Sequence, residues 1–460
     1  MKRWFFIVFI LVITFGISSA AFAFEVPDEI RVGIYYGSKG ASSVTLSSSG
    51  GIRVGTIDED GKIDIIDEID ADDEITITKG SNKNSVKVSG VGEIGDKYNF
   101  TYFESIEDDD DLKLITINGT TYRGDVEIKR FSDSDMTVIN VLPMQEYLYG
   151  VVPREIGGNS PVEAVKAQAI IARTYAAKNY NKRIKWGFNV CPTVDDQAYG
   201  GYKWENPNSN KAVDKTNGMV ATYDGELIGG YYFSTSGGYT EDSENVWGGK
   251  FDYLKAVADI YEPENLSKKT WSVTLSADEV KTRLAKYNVD VGDVLDLVPT
   301  KFSDVGRVVE LKVVGTDDTI TLTNSKTRTY LGLDSQWYTV NDEAPLVAEY
   351  DIKKPSKNDD EKRNDTANER DDIYKNEDKE ENVKPLLQKL LAIFSPKKTE
   401  TIEKQTAYSS RTSKGDFVIQ GRGWGHAVGM SQNGAIGMAN NDFDYEEIIK
   451  WYYSGVEIEK

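Results

Sequence analysis

A long apolar helix is the feature that most constrains the fold of this chain. The sequence SPVEAVKAQAIIARTYA begins at Ser160, a residue type that caps helices, and Pro161 follows at the first helical position. Glu163 stands three residues after Ser160, which is the spacing of a capping box. This pattern predicts a helix that begins at residue 161. Apolar residues extend most of the way around that helix, which predicts a central, buried helix in a mixed domain; they are Val162, Val165, Ala169, Ile170, Ile171, Ala172 and Ala176.

Two cations lie on this otherwise apolar helix. Lys166 and Arg173 are seven positions apart, so they project along nearly the same line at the edge of the apolar stripe. Cations that close to a core require a carboxylate or a polar ligand. Glu155 lies shortly before the helix and can reach the same end of it. The spacing leaves two interpretations open, a buried ion network that fixes the chain entering the helix, or a cluster that binds and acts on a ligand.

The segments around the helix predict an α+β fold. Short β-branched and aromatic runs such as IRVGIYY and EITITKG, separated by glycine, asparagine and aspartate turns, predict a small β-rich module over residues 24–110. A mixed domain with β-rich segments around the central helix is expected over residues 111–455. Within it, Ser276 and Glu279 repeat the capping-box pattern at a second helix start.

Two further segments have a composition of their own. Residues 1–23 combine Lys2 and Arg3, an apolar run and the small-residue pattern around Ala23, which predicts export by a cleaved signal peptide or by a retained N-terminal anchor. Membrane contact is expected only there. Residues 342–412 are expected to form a disordered, charged insertion, because their central part is dense in both signs of charge. The insertion contains a short apolar stretch at 385–394, whose role the sequence leaves open.

The charge balance disfavours one class of partner. The chain of 460 residues has a formal net charge of −21 and a pI near 4.7, which disfavours nucleic acid as a partner. Its one cysteine, Cys191, cannot form an internal disulfide.

A glycine-rich block near the C-terminus, GRGWGHAVGMSQNGA, carries several candidate binding residues. Its glycines let the backbone approach a ligand closely around Arg422, Trp424 and His426. The block lacks the Gly-Lys-Ser/Thr ending of a phosphate loop and the glycine order of a dinucleotide site, so no nucleotide cofactor is expected. An indole beside polar groups and flexible backbone suits a sugar ring.

Six blocks together resemble the stage II sporulation protein D and amidase-enhancer family (SpoIID/LytB). In order, they are YLYGVVPREI, PVEAVKAQAIIARTYA, DDQAYGG, STSGGYTEDSENVWG, DYLKAV and GRGWGHAVGMSQNGA. The resemblance spans roughly residues 112–455 apart from the charged insertion.

The resemblance implies action on the glycan strands of peptidoglycan, outside the cell membrane, with a preference for strands stripped of their stem peptides. It implies a lytic transglycosylase that cleaves the bond between N-acetylmuramic acid (MurNAc) and N-acetylglucosamine (GlcNAc), with Glu155 as the catalytic acid and then base, and with Lys166 and Arg173 in the cleft. The attacking group is the C6 hydroxyl of the sugar, so the products end in 1,6-anhydro-MurNAc and no second carboxylate is required. A role in sporulation or cell-wall remodelling follows. The alternative is a non-catalytic, glycan-binding enhancer that has a cell-wall amidase as its partner.

The sequence leaves open the protonation state of Glu155 and the roles of several polar residues. Cations beside Glu155 would lower its pKa, contrary to what a general acid requires, unless burial or distance outweighs them. Five further residues either form hydrogen bonds to substrate in the cleft or make ordinary loop contacts, and the sequence leaves both interpretations open. They are Gln197, Tyr199, Ser234, Ser236 and Tyr239.

The resemblance also raises the question of a metal. Some members of the family bind zinc through cysteine and histidine, but here Asp195 and Asp196 stand where such ligands would lie and only Cys191 remains. One thiol with two acids makes a poor structural zinc site. We therefore expect neither a metal nor a cofactor.

Overall fold

The computed structural model describes residues 26–96, 100–131, 135–342 and 415–460. The predicted N-terminal signal or anchor (1–23), nearly all of the predicted charged insertion and its apolar stretch (385–394) lie outside these residues. The described chain confirms an α+β fold, in which several small sheets surround a few helices. No helix among the described residues is long and apolar enough to cross a membrane.

The strands fall into an N-terminal group and a later group. The N-terminal strands are β1 (Glu29–Tyr35), β2 (Ser43–Ser47), β3 (Ile52–Ile57), β4 (Ile63–Ile69), β5 (Ile75–Lys79), β6 (Val86–Val88), β7 (Gly92–Ile94), β8 (Phe100–Ser105), β9 (Leu114–Ile117), β10 (Thr120–Arg123), β11 (Asp125–Lys129) and β12 (Thr137–Pro143). The later strands are β13 (Val220–Tyr223), β14 (Glu226–Leu227), β15 (Tyr232–Phe233), β16 (Thr270–Ser276), β17 (Val294–Phe302), β18 (Val308–Gly315), β19 (Thr319–Thr323), β20 (Tyr338–Val340), β21 (Asp416–Arg422), β22 (Met430–Ser431) and β23 (Glu457–Glu459).

The described α-helices all follow strand β12. The α-helices are α1 (Met144–Val152), α2 (Val162–Lys178), α3 (Pro207–Lys215), α4 (Ser243–Trp247), α5 (Ala277–Ala285), α6 (Lys326–Thr329), α7 (Gln432–Ala439) and α8 (Tyr445–Tyr452). Short 3₁₀ turns cover Gly37–Lys39, Ile184–Trp186 and Tyr202–Trp204, and a π-helical turn covers Pro153–Gly157.

Two six-stranded sheets form the N-terminal half. Their strand orders are β1-β12-β11-β8-β3-β4 and β10-β9-β2-β5-β6-β7, so both sheets take strands from either side of the domain boundary expected at residue 110. Strand β12 is buried along almost its whole length. Val138 and Leu142 face the main core, whereas Ile139 and Val141 pack with Phe188 on the other side. A strand covered on both faces reads as a continuous apolar run, and this one leads directly into α1.

Helix α2 is the central helix that the sequence predicts. It packs against α1, α3, α7 and α8, and most of its residues are buried. The predicted capping box at its start is wrong. Ser160 donates its hydroxyl to the Ile156 carbonyl instead (2.6 Å), and Glu163 is used by Lys166 and by the Tyr445 amide, so the helix begins at Val162. The second predicted capping box, at Ser276 and Glu279, is confirmed.

A second, smaller core lies between β16 and β21. It includes Leu275, Leu297, Leu311 and Phe417, which come from strands β16, β17, β18 and β21, and helix α5 adds Val280 and Leu284. The chain enters and leaves this subdomain side by side, because β16 pairs with β21 in antiparallel register. The glycine-rich block follows the end of β21 and therefore lies next to the main core.

Candidate functional site

Glu155 lies on the π-helical turn that follows α1, where the chain changes direction before α2. Its half-buried carboxylate accepts two hydrogen bonds from distant parts of the chain. The Ala198 amide donates to Oε1 (2.7 Å), and the Gln432 side-chain amide donates to Oε2 (3.3 Å). Three of the sequence blocks therefore meet at one carboxylate.

A layer of polar side chains supports this carboxylate from beneath. The Tyr232 hydroxyl is hydrogen bonded to Glu155, and it also accepts from the amide of the fully buried Gln197 (3.1 Å). Gln197 in turn accepts from the Tyr147 hydroxyl (3.1 Å). Gln432 also approaches the Gln168 side chain, on α2. This network fixes the rotamer of Glu155 relative to α2.

Burial raises the pKa of Glu155 above its ordinary value. The hydrogen bonds from Ala198, Gln432 and Tyr232 and the positive charge of Arg154 act in the opposite direction, but their combined effect is smaller. The carboxyl group therefore keeps its proton to a higher pH than an ordinary glutamate. This is the direction that a general acid requires.

The two cations of α2 that the sequence analysis singled out, Lys166 and Arg173, are not the partners of Glu155. Lys166 forms an ion pair with Glu163 (2.7 Å) and lies over the Tyr445 ring. Arg173 is 1% exposed and donates to the carbonyls of Met219 and Val213 and to the Gln145 side chain. The interpretation of a buried ion network with Glu155 is therefore wrong, because both cations are engaged by other partners.

The burial of Arg173 also bears on the cleft that the resemblance implies. Its guanidinium is enclosed by carbonyl oxygens, and desolvation lowers its pKa to about 10. A contact with a glycan strand would require α2 to separate from its neighbours. Lys166, whose side chain is 17% exposed, is the cation of the pair that solvent reaches.

Several of the other predicted binding residues lie in the packed interior. Tyr199 is 6% exposed and donates its hydroxyl to Asn140 (2.8 Å). Ser236 is fully buried, and its hydroxyl accepts from the Gly238 amide (2.9 Å). Tyr239 packs edge-on against Trp337. These side chains contact other parts of the interior and do not contact Glu155.

Ser234 stays closer to the site than these residues. Its carbonyl accepts from both the backbone amide and the side chain of Asn433, the residue after Gln432, and its half-buried hydroxyl lies 3.2 Å from that of Thr235. It therefore ties the strand that carries Tyr232 to the start of α7.

The glycine-rich block owes its path to two glycines. Gly429 has a φ of +79°, and a Cβ there would lie 2.1 Å from the Tyr231 carbonyl oxygen. Gly423 has a φ of +77° and is similarly close to the Ser236 carbonyl. Only glycine adopts a positive φ and tolerates such a close neighbouring carbonyl at low energetic cost. The resulting close approach lets β22 pair in parallel with β15, and this pairing brings Gln432 to Glu155.

The predicted polar and aromatic residues of this block have different surroundings. Arg422 donates to the Gly237 carbonyl (3.0 Å), and Trp424 is 44% exposed with the Lys268 ammonium 4.4 Å from its ring centre. His426 packs beside Trp247 and Phe233, and its Nδ1 accepts from the Val428 amide (3.1 Å). Burial lowers the pKa of His426 to about 3, so the ring is neutral at physiological pH.

The segment around Cys191 and Asp196, for which the resemblance raised the question of zinc, is organised by ion pairs. The Asp196 carboxylate contacts both Lys182 (2.6 Å) and Arg183, and it also accepts from the Cys191 amide. Cys191 itself is buried. Within the described parts of the chain, no group of three or more histidine, cysteine, aspartate or glutamate side chains is arranged to hold a metal ion.

The sequence did not single out three residues that contact Glu155. Ala198, Tyr232 and Gln432 all lie in or beside the blocks that carry the family resemblance. No local pattern distinguishes them, because each contacts Glu155 only through tertiary pairing.

Comparison with known proteins gives consistent similarities. The family described as "Stage II sporulation protein" (SpoIID) matches residues 132–223. An uncharacterized protein of Brachyspira hyodysenteriae is 30% identical over 344 residues, which is 75% of this chain and 73% of the relative. The "Amidase enhancer" of Bacillus subtilis is 30% identical over 68% of this chain, which spans 40% of that relative. The "Stage II sporulation protein D" of Bacillus subtilis is 25% identical over 72% of this chain and 79% of the relative.

Proposed function

The chain belongs to the SpoIID/LytB family, and we propose that it is an exported lytic transglycosylase. Its substrate is the glycan strand of peptidoglycan, in particular strands that have lost their stem peptides. It cleaves between MurNAc and GlcNAc and leaves 1,6-anhydro-MurNAc ends. Its biological role is cell-wall remodelling, in sporulation or in growth.

One observation carries this proposal, the environment of Glu155. The carboxyl is half-buried with a raised pKa, it has no cation paired to it among the described residues, and directed donors hold both of its oxygens. A carboxyl in this state can donate a proton and can also be stabilised once it has become a carboxylate. Both properties are needed when one residue serves first as acid and then as base.

The proposed reaction needs only this one carboxyl. Glu155 gives its proton to the glycosidic oxygen as the bond from that oxygen to C1 of MurNAc breaks. The C6 hydroxyl of the same MurNAc then attacks C1, and its proton passes to the Glu155 carboxylate. The Ala198 and Gln432 amides stabilise the charge between the two steps. The acid is restored and no water is consumed.

The neighbouring residues have supporting roles in this scheme. Trp424 offers an exposed indole face on which a sugar ring can stack, with the Lys268 ammonium beside it. Tyr232 and Gln197 hold the orientation of Glu155, and Lys166, the partly exposed member of the Lys166 and Arg173 pair, is available to substrate oxygens. Arg173 stabilises the position of α2 from within the core.

A second function is favoured by one of the relatives. The relative named "Amidase enhancer" is 30% identical to this chain over 68% of this chain and 40% of the relative. A non-catalytic protein that binds glycan and stimulates a cell-wall amidase would use the same surface without needing the protonated carboxyl.

The two functions differ in their products. Wild type and Glu155→Gln should be incubated with purified, peptide-free glycan, and the products should be analysed by mass spectrometry. A transglycosylase gives anhydro ends that Glu155→Gln abolishes, whereas a hydrolase gives products heavier by one water. An enhancer gives no glycan products alone, but it speeds release of stem peptides by an added amidase, and Glu155→Gln retains this effect. Either of the last two results would overturn the proposal.

A further inference from the structure

Arg154 differs from the other arginines that the structure describes. Each of the others donates a hydrogen bond within the chain, either to a carboxylate, as Arg31, Arg123 and Arg183 do, or to a carbonyl oxygen, as Arg283 does. Among the described residues, the Arg154 guanidinium makes neither a hydrogen bond nor an ion pair, although the protein as a whole is strongly acidic. An exposed guanidinium with free donors can bind an external anion.

This guanidinium is held in place by an aromatic ring. Its central carbon lies 4.1 Å from the ring centre of Trp204, which is itself 49% exposed. Gly200 makes the arrangement possible, since a Cβ there would lie 2.4 Å from the Trp204 ring and 3.0 Å from the Arg154 side chain. Stacking on an aromatic face limits the rotamers of an arginine while it leaves the N–H groups at the edge available. The pair is therefore a preformed anion-binding group.

The pair is also adjacent to the proposed catalytic carboxyl. Arg154 shares the Pro153–Gly157 turn with Glu155, and its charge acts on the Glu155 carboxyl. Trp204 belongs to the turn that follows Ala198, the residue whose amide donates to Glu155. An anion bound by the guanidinium would thus lie beside the turn that carries Glu155, the proposed proton donor.

We propose that Arg154, stacked on Trp204, binds the lactyl carboxylate of the MurNAc residue at the cleavage site and thereby selects strands whose stem peptides have been removed. This inference rests on the proposed function. GlcNAc carries no carboxylate, whereas each MurNAc freed of its peptide carries one on its lactyl ether. When a stem peptide is attached, the same carbon is an amide without charge.

The chemistry explains how one side chain can provide selectivity. A guanidinium and a carboxylate can form two parallel charge-assisted hydrogen bonds, which an amide cannot reproduce. The amide form also leaves a larger peptide beside the exposed Trp204. Arg154 therefore selects the MurNAc residue that binds, and Glu155 protonates the glycosidic oxygen of the bond that breaks.

The test compares two forms of the same glycan. Peptide-free oligomers are used either with free lactyl carboxylates or after conversion of these groups to primary amides, which removes the charge and adds little size. Binding is measured by calorimetry with the full chain carrying Glu155→Gln, so that no cleavage occurs. We expect this chain to bind the carboxylate form about tenfold more tightly than the amide form. Adding Arg154→Gln should remove this preference and leave binding of the amide form unchanged.

Matched variants separate this role from a general effect of charge. Lys203→Gln removes an exposed cation next to Trp204 and should keep the preference. Arg154→Lys should keep only part of it, because an ammonium lacks the paired donors. Retention of the full preference in Arg154→Gln, its loss in Lys203→Gln, or equal binding of both glycans by the parent would overturn the proposal.

The failure of the proposed function would look different. If the wild-type chain shows the Arg154-dependent preference but releases no anhydro products, the transglycosylase assignment fails and the assignment of Arg154 stands. If the parent binds neither form of the glycan, both are contradicted.

Discussion

Gln432 donates its side-chain amide to Oε2 of Glu155 across a distance of 3.3 Å, although 277 positions separate the two residues in the chain. The contact joins the turn after α1 to the first residue of α7. Ser431 caps this helix by accepting from the Gly434 amide (3.1 Å), which fixes the direction in which Gln432 projects. The geometry of the acid therefore depends on the end of the chain as much as on its own turn.

Glu155→Gln should abolish cleavage of glycan strands while the protein stays folded. The amide keeps the size of the side chain and can still accept from Ala198, but it has no proton of suitable acidity to donate. We expect kcat to fall by about 10³-fold or more, measured by release of anhydro-ended fragments. Glu226→Gln, at the exposed start of β14, serves as the control. Activity within tenfold of wild type in the Glu155 variant would contradict the assigned role.

Gln432→Leu should shift the pH dependence of activity. The Gln432 amide favours the ionised form of Glu155, so its loss raises the pKa of Glu155 further above the ordinary value. The descending limb of kcat/KM, which reports ionisation of the acid, should therefore move to higher pH. Gln420→Leu, in the second subdomain, should leave the limb in place. A limb that moves to lower pH would show that Gln432 acts on another group.

Arg173→Lys should reduce stability and leave substrate affinity unchanged in the folded fraction. A lysine cannot reach the carbonyls of Met219 and Val213 and the Gln145 side chain at once, so buried acceptors lose their donors. We expect the free energy of unfolding to fall by about 3 kcal/mol, measured by urea denaturation. Lys178→Arg, at the exposed end of the same helix, is the control. A raised KM without loss of stability would instead place Arg173 in the cleft.

A buried acid pair beside the site predicts a second pH effect, on stability. Burial and the neighbouring charge of Asp259 raise the pKa of Glu262 to about 7, while the Ser236 and Gly237 amides donate to its carboxylate. The folded protein therefore holds a proton that the unfolded chain releases above about pH 4.5. Stability from this group is complete below that pH and is lost as the pH rises towards 7, on the order of 1 kcal/mol per unit.

Glu262→Gln should flatten this slope between about pH 5 and pH 7. Denaturation midpoints of wild type and variant at several pH values test this, with the exposed Glu264→Gln as the control. An unchanged slope in Glu262→Gln would show that another group carries the pH dependence.

Protein purified without chelators should contain no stoichiometric zinc. Lys182 and Arg183 already neutralise the Asp196 carboxylate, and Cys191 offers a single buried thiol. Elemental analysis tests this directly, and addition of a chelator should leave glycan cleavage unchanged. One zinc ion per chain would overturn this interpretation of Cys191, Asp195 and Asp196.

The sequence was sufficient for the features that depend on local pattern. The apolar surface of α2 predicted a central helix, and the spacing of Ser276 and Glu279 predicted a capping box, because both are decided within one or two helical turns. The same spacing at Ser160 and Glu163 gave a wrong prediction. There, tertiary partners compete for both side chains, namely the Ile156 carbonyl for Ser160 and Lys166 for Glu163.

The surroundings of Glu155 could not be derived in this way. Helical periodicity placed Lys166 and Arg173 near the core but gave no information about which acceptors faced them. The contacts of Tyr232 and Gln432 with Glu155 depend on the parallel pairing of β15 with β22, and the contact of Ala198 depends on the loop after α2 folding back onto the turn after α1. Both are long-range events without a local signature. The raised pKa of Glu155 follows from the same burial and was therefore not predictable from its neighbours in sequence.

The paired ends of the second subdomain have an evolutionary consequence. The Gly423 amide donates to the Lys269 carbonyl (2.9 Å), and Trp271 donates its indole N–H to the Gly423 carbonyl (3.0 Å) across 152 positions. For the main core, the described residues of this subdomain leave and return at one place, and Arg307 adds a second connection by donating to the Ser236 and Tyr239 carbonyls. Changes of length in the exposed loops of the subdomain, away from Arg307, can therefore accumulate while the pairing of β15 with β22 keeps Gln432 at Glu155. Homologues of different total length can thus share the same arrangement around Glu155.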